Sequence, residues 1–321
     1  MAFERMAPVG VGAGYWEQVR ASGYALPGDR SLDDLTAELV TMIGDPDPEV
    51  RDALAYPVLS TWLTSGVYDD LLTGFGDGVS EGLFIGLGEQ GTDTVLRRAF
   101  SALLLAETVT RDETARMVHS DTIFRWGDRA ASWFVRERDL RSRVAERGWA
   151  HAVAYGADLL AAFARSRHFG KLELTVLLDV IADRLLIPTG ERFCHGEEDR
   201  LAYAVMTILH RNEIGLSILE PWVERLLVGL FPEDPDANGA GSSRYSAVPG
   251  ALVSPWSSAS ASNTERFLRA LHLQLALGVR GRPTDQDQDL FREPPDVRAD
   301  LLLILLRALR RAAPTLFADS T

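Results

Sequence analysis

The stretch of sequence that decides the fold is Asp45-Pro46-Asp47-Pro48-Glu49-Val50-Arg51-Asp52-Ala53-Leu54. Asp47 is placed to accept a hydrogen bond from the amides that follow it, and Pro48 suits a first helical turn because it lacks an N–H. Val50, Ala53 and Leu54 then recur at helical spacing. The stretch therefore predicts the start of an amphipathic helix, which Pro57 is expected to kink or restart.

Helical spacing dominates the rest of the chain. An earlier helix is expected to begin at Ser31, whose hydroxyl can cap it. No segment alternates clearly enough to predict a strand, and the glycine-rich stretch 74–91 is predicted to be a loop with short helical turns. Further helices are predicted over residues 92–107, 112–138, 148–167, 171–186, 197–211, 216–230, 263–278 and about 295–311.

The phrase from Asp47 to Arg51 resembles the first helix of a HEAT repeat, and it is the only recognisable copy. We therefore predict an all-α fold of irregular HEAT/armadillo-like stacked helix pairs, an α-solenoid. Residues 1–321 are expected to form one helical domain. It comprises a partly flexible leader (1–30), stacked helix pairs (31–231), a flexible Gly/Ser/Pro loop (232–262) and C-terminal helices packed on the same solenoid (263–321).

The net charge of −13 makes a nucleic-acid partner unlikely, because binding to phosphate backbones needs a basic surface. Lys171 is the only lysine, and an arginine bias of this kind reflects a GC-rich genome more often than phosphate recognition. A lone cysteine, Cys194, allows no internal disulfide and favours a reducing compartment. No signal peptide and no apolar run of ~20 residues is seen. We expect a cytoplasmic protein without a membrane span.

Two short motifs match parts of patterns that carry chemistry in other proteins. Gly78-Val79-Ser80-Glu81-Gly82 fits the nucleophile-elbow pattern of serine hydrolases, but that motif needs a strand–turn–helix that is not predicted here. Cys194-His195 lacks a second pair at zinc spacing. We therefore expect no metal and no cofactor.

Three central helices carry polar and aromatic groups where leucine is usual. Arg129, Trp133 and Arg136 share one side of the first, and His151, Tyr155 and Asp158 share one side of the second. The third presents Asp199, Tyr203, Met206 and His210. If the helices stack, these stripes can line one concave groove. The predicted ligand-binding residues are Trp126, Asp128, Arg129, Trp133, Trp149, His151, Tyr155, Asp158, Asp199 and Tyr203.

Two interpretations of these residues are open. In the structural one, Asp158 and Asp199 pair with Arg129 or Arg200 as links between helices, and the tryptophans fill the core. In the functional one, arginines bind an anionic or peptide ligand while Trp149 or Tyr155 packs on it.

The spacing of several phrases resembles a bacterial family catalogued as domain of unknown function 2785. The resemblance spans roughly residues 95–230 and implies a helical bacterial protein, with no established activity to transfer. It draws attention to Asp128, Arg129, Trp149, His151 and Asp158. The phrases are Trp126-Gly127-Asp128-Arg129, Glu137-Arg138, Gly148-Trp149, His151-Ala152, Ala157-Asp158-Leu159 and Asp199-Arg200-Leu201-Ala202.

The leading hypothesis is a binding module that recognises a protein, a peptide or a small anionic ligand. The second is an enzyme in which His151 and Asp158 or Asp199 act as acid and base, since histidine titrates near neutral pH. The third is a HEAT-like DNA glycosylase, which the net charge disfavours.

Overall fold

The computed structural model describes residues 13–230, 258–279, 290–313 and 317, and most of them are helical. This agrees with the predicted all-α class. None of the described helices is long and apolar enough to cross a membrane. The helices are α1 (Ala13–Ala21), α2 (Leu32–Met42), α3 (Pro48–Val50), α4 (Tyr56–Thr64), α5 (Leu72–Gly82), α6 (Thr94–Ala115), α7 (Ser120–Arg136), α8 (Ala152–Arg165), α9 (Lys171–Leu186), α10 (Glu197–His210), α11 (Leu216–Leu230), α12 (Ala259–Leu277) and α13 (Arg298–Ala312).

Alternate helices pack side by side and build two layers. In the first layer α4, α6, α8, α10 and α12 contact one another in that order, and in the second α5, α7, α9, α11 and α13 do so. Successive helices therefore alternate between layers, which enclose a continuous apolar core. The small N-terminal helices α1 and α2 pack near the π-helical turn Arg51–Ala55, which joins α3 to α4.

The predicted helix starts at Ser31 and Asp47 are confirmed at the level of single hydrogen bonds. The hydroxyl of Ser31 accepts from the amide of Asp34 at 3.1 Å, and Asp47 accepts from the amide of Glu49 at 2.9 Å. Pro48 occupies the first turn of α3. Instead of kinking a helix, Pro57 lies in the first turn of α4, directly after the π-helical turn.

The helix predicted over 112–138 is interrupted in the structure. α6 ends at Ala115 because Arg116 adopts a left-handed conformation, with φ 54°. The carboxylate of Asp112 satisfies the amides of Met117 and Val118 at 2.9 and 2.8 Å, so the break is hydrogen-bonded rather than frayed. A new helix, α7, starts at Ser120.

Three other predictions of local structure were wrong. Much of the stretch 74–91 is not a loop, because α5 runs to Gly82 and buries Ser80, whose hydroxyl donates to a carbonyl of the same helix. Residues 148–151 precede α8 rather than opening it: β2 (Gly148–Trp149) pairs antiparallel with β1 (Arg143–Val144). The last residues of the predicted loop 232–262, from Ala259 onwards, belong to α12, whereas residues 1–12, 231–257 and 280–289 lie outside the described residues.

A buried ionic hub joins the two layers at the end of α7. Arg98 of α6 forms a two-point ion pair with Glu137, at 2.5 and 2.9 Å, and neither side chain is more than 1% exposed. The same carboxylate accepts the indole N–H of Trp133 at 3.0 Å. Arg184 of α9 donates to the backbone carbonyls of Phe134 and Glu137. Three helices are thereby tied to one carboxyl-bearing residue.

Candidate functional site

Helices α8 and α10 are neighbours in the first layer, and they bring together several of the predicted site residues. Asp158 of α8 pairs with Arg200 of α10, whose Nε lies 2.6 Å from Oδ1. Further along the same two helices, Arg165 of α8 donates a hydrogen bond to the hydroxyl of Tyr203 of α10. Its guanidinium carbon lies 5.3 Å from the centroid of the Tyr203 ring. The structural interpretation correctly anticipated the link between Asp158 and Arg200.

Trp149 and His151 stand at the start of α8. Their rings stack with centroids 4.4 Å apart and planes inclined by 6°. The ring of His195 meets Trp149 edge-on at 5.2 Å, and the guanidinium of Arg143 lies 5.8 Å from it. Trp149 is nevertheless 40% exposed, which is unusual for the largest apolar side chain. The indole thus faces solvent in an orientation set by its neighbours.

The hairpin that carries Trp149 is anchored on both sides. The buried guanidinium of Arg51 donates to the carbonyl of Arg147 at 2.6 Å, which links the hairpin to the segment 45–54 that begins α3. On the other side, the hydroxyl of Ser142 donates to the buried carboxylate of Glu197 at the start of α10. That carboxylate also accepts the backbone N–H of His195 at 2.9 Å. The hairpin is therefore fixed to the π-helical turn after α3 and to α10.

His151 is held in its neutral form. Burial, the positive charge of Arg200 and the neighbouring His195 lower its pKa to about 4. Its Nδ1 atom is buried and has no hydrogen-bond partner among the described residues. The backbone of His151 is left-handed, with φ 51°, which lets the side chain fold back over Trp149. At neutral pH the ring acts as an aromatic surface rather than as a cation.

The polar and aromatic surface continues onto α4 and α6. Tyr56 donates to Glu107, and the ring of Phe100 bridges Tyr56 and Tyr155 edge-on, at 5.9 and 5.6 Å. Burial raises the pKa of the Glu107 carboxyl, and the hydrogen bond from Tyr56 opposes that rise. Sequence reasoning missed Tyr56 and Glu107, although a glutamate within the mainly apolar run 102–109 of α6 is a readable signal.

Asp199 does not join His151 and Asp158. Its backbone carbonyl accepts from Gln274 of α12. Burial and the adjacent Glu198 raise the pKa of its carboxyl, whereas Arg266 of α12 lowers it. Asp199 therefore sits among groups of the α10–α12 boundary. The carboxylate of Asp158 pairs with Arg200, and neither Asp158 nor Asp199 is among the charges that shift the pKa of His151.

The predicted residues on α7 lie in the other layer. Trp126 and Trp133 have no exposed surface, and their indole N–H groups donate to Asp77 and Glu137, so both belong to the core. Arg129 pairs with Glu81 at 2.6 Å. Asp128 lines a small groove of about 260 Å³ between α7 and α9. Of the three helices that were expected to line one groove, only α8 and α10, with their flanking loops, lie side by side in the same layer.

We call this surface the α8–α10 face and define it by the residues that form it. In the described part of the chain, no three His, Cys, Asp or Glu side chains are arranged to hold a metal ion. His195, Arg143 and Arg200 were not among the predicted ligand-binding residues. The α8–α10 face comprises Arg143, Trp149, His151, Tyr155, Asp158, His195, Arg200 and Tyr203.

Comparison with known proteins places the chain in a family. Residues 83–273 match the model of the family described as "Protein of unknown function (DUF2785)", and the chain belongs to that family. The match includes every residue of the α8–α10 face and extends beyond the range 95–230 that the sequence phrases covered. No curated protein and no solved structure matches the chain.

Proposed function

We propose that this protein is a binding module whose helix pairs form an irregular HEAT-like solenoid, and that it recognises a peptide or protein segment on the α8–α10 face. The two layers of alternating helices support the solenoid, because each added pair buries the flank of the pair before it. Such a stack exposes one side of each layer as an extended surface, and the α8–α10 face lies on the first layer.

The observation that carries this proposal is the exposed, preoriented indole of Trp149. Tryptophan is enriched among the residues that dominate binding energy, because one rigid ring buries a large area at little entropic cost. Here the ring is already stacked on His151 and held by an anchored hairpin. A partner would gain the contact area without having to order the side chain first.

The surroundings of Trp149 suit a peptide better than an acid–base reaction. His151 is flanked by Arg200 and His195, which oppose its protonation. The carboxylate of Asp158 is neutralised by Arg200. Hydroxyl, imidazole and guanidinium groups around an aromatic anchor can instead exchange hydrogen bonds with a peptide backbone. The net charge of −13 favours the approach of a partner with positive charge around its contact residues.

Selection of peptides from a random displayed library on the purified full chain tests the proposal. We expect the selected peptides to bind the wild-type protein and to lose at least about tenfold in affinity to the Trp149→Ala variant, because a central tryptophan is typically worth ~2 kcal/mol or more. Leu172→Ala is the matched control, since Leu172 is 77% exposed on α9 in the other layer.

The proposal fails if the selected peptides bind the Trp149→Ala and wild-type proteins equally well. It also fails if Leu172→Ala weakens them as much as Trp149→Ala does. Thermal unfolding of both variants shows whether a loss of affinity reflects a loss of folded protein. Because Trp149 is partly exposed and lies outside the core, we expect both variants to unfold close to the wild-type temperature.

A further inference from the structure

A cleft of about 950 Å³ opens where the ends of α7 and α9 meet the loop that follows α5. Its walls come from three segments, all within the part of the chain that matches the family: 87–88 with 90–91, 135–141, and Arg184 with 187–191. Sites for small molecules typically occupy roughly 300–1,000 Å³. The cleft is therefore large enough for an organic ligand, and it is formed by different residues from the α8–α10 face.

Burial alternates from Arg136, the last residue of α7, into the segment 137–139 that follows it, where the backbone becomes extended at Glu137. Arg136 and Arg138 are exposed, whereas Glu137 and Asp139 are almost fully buried. Successive side chains of an extended backbone point to opposite sides, so the segment sorts its charges by sign. The carboxylate of Glu137 is directed to Arg98 inside the protein. Within the described residues, Arg136 and Arg138 have no ion-pair partner.

Arg184 adds a buried guanidinium to the same cleft. The residue is only 3% exposed, yet it lines the cavity. Its Nη1 atom donates to two carbonyls, but Nε has no partner and no described residue hydrogen-bonds Nη2. Burial lowers its pKa to about 10, so it stays charged at neutral pH. A buried cation whose donors are not all satisfied gains energy from an anion.

The walls of the cleft are held in place by hydrogen bonds. Gln90 donates to the carbonyl of Arg138 at 3.0 Å, and the amide of Gly91 donates to Asp139 at 2.9 Å. Arg141 neutralises Asp139 and also donates to the carbonyl of Thr92. The cationic groups are thus presented by a preorganised cavity, which lowers the cost of binding.

We propose that this cleft binds a small organic anion, a carboxylate or a phosphate ester with an apolar body. Arg136, Arg138 and Arg184 supply the positive charge, and guanidinium groups suit both kinds of oxyanion because their N–H groups can bind two oxygens at once. Leu87, Leu140 and Ile187 among the lining residues provide the apolar contact. One exposed carboxylate, that of Glu191, also lines the cleft, so three arginines stand against one glutamate and the balance still favours an anion.

Isothermal titration of the full chain with three related probes tests the proposal. The probes are 1-naphthoate, 1-naphthyl phosphate and the neutral 1-naphthamide. The test variant is Arg136→Ala/Arg138→Ala, which removes two exposed side chains and leaves the buried hub intact. The control is Arg20→Ala/Arg310→Ala. It removes two exposed arginines that do not line the cleft, and it changes the net charge by the same amount as the test variant does.

We expect at least one anionic probe to bind the wild-type and control proteins alike, and to bind the test variant about tenfold or more weakly. The tighter of the two anions identifies the carboxylate or the phosphate ester as the preferred class. The proposal is overturned if neither anion binds the wild-type protein, if naphthamide binds as tightly as the anions, or if the test and control variants lose affinity to the same extent.

Discussion

Replacing Arg98 by methionine tests the energetics of the buried hub. The substitution keeps an unbranched side chain of similar length but removes both hydrogen bonds to Glu137, at 2.5 and 2.9 Å. The Glu137 carboxylate, only 1% exposed, would remain in the interior without its counter-ion. Removing one partner of a buried ion pair typically costs about 3–5 kcal/mol. Since small domains are stable by about 5–15 kcal/mol, Arg98→Met is expected to be severely destabilising.

The same helix supplies a matched control. Arg111 of α6 also forms a two-point ion pair, with Asp69, at 2.8 and 2.7 Å. Its side chain and that of Asp69 are 25% and 34% exposed, so water screens the charges and can replace the lost bonds. Pairs of this kind contribute about 0.2–1 kcal/mol. Arg98→Met and Arg111→Met therefore compare the same residue type, helix and geometry at two levels of burial.

Equilibrium unfolding in urea, followed by far-ultraviolet circular dichroism, measures both variants by linear extrapolation. A double variant, Arg98→Met/Glu137→Gln, should be less destabilised than the sum of its two single variants, because it leaves no uncompensated buried charge. The reasoning is refuted if Arg98→Met costs no more than Arg111→Met. It is also refuted if the effects of the two hub substitutions simply add.

Two further predictions concern packing and pH. In Gly156→Ala the new methyl group would overlap the ring of Phe134, so the free energy of unfolding should fall by about 1–3 kcal/mol in thermal unfolding. Gly78 is an exposed helical site with free space around it, so Gly78→Ala should raise the free energy of unfolding by up to about 1 kcal/mol. The pKa of His151 lies near 4 when folded and near 6.5 when unfolded, so its contribution to stability is present above pH 6.5 and is lost as pH falls towards 4. The variant His151→Asn removes this titration, and asparagine tolerates the left-handed backbone. Between pH 7 and pH 4.5 we expect its free energy of unfolding in urea to fall by about 1–2 kcal/mol less than that of the wild type, a size reduced because the ring is partly exposed. An identical pH dependence of the two proteins would contradict this.

Local signals made much of the secondary structure predictable. The helices α9 and α11 agree with the predicted ranges 171–186 and 216–230, and the caps at Ser31 and Asp47 form as expected. These features depend on residues within one or two turns of each other. The break after α6 was missed because it depends on Arg116 adopting a left-handed conformation and on Asp112 binding amides beyond the helix end.

The site was less predictable, because helical spacing shows which side chains share a face but not which neighbour that face meets. The stripe on α7 looked equivalent to those on α8 and α10, yet α7 packs in the other layer and buries Trp126 and Trp133. Their polar partners, Asp77 and Glu137, have no readable signature in sequence. By contrast, His151 and Tyr155 do lie in ring contact, with centroids 5.5 Å apart, because both are on α8 at helical spacing.

The charged segment 136–139 could have been interpreted correctly had the end of α7 been recognised. On a helix, four successive charges of alternating sign spread around the axis, whereas on an extended backbone they separate into two sides. In the structure Arg136 ends α7 and is exposed, and beyond the helix the buried Glu137 and the exposed Arg138 follow the second pattern. Two of the three carboxylates that line the cleft, those of Glu137 and Asp139, are paired with Arg98 and Arg141, which leaves a surplus of arginine there in an acidic protein. Arg98 also donates to the carbonyls of Ile85 and Gly86, just before one wall of the cleft. The hub that joins the layers therefore also supports the proposed anion site, so we expect a substitution of Arg98 to weaken anion binding as well as stability.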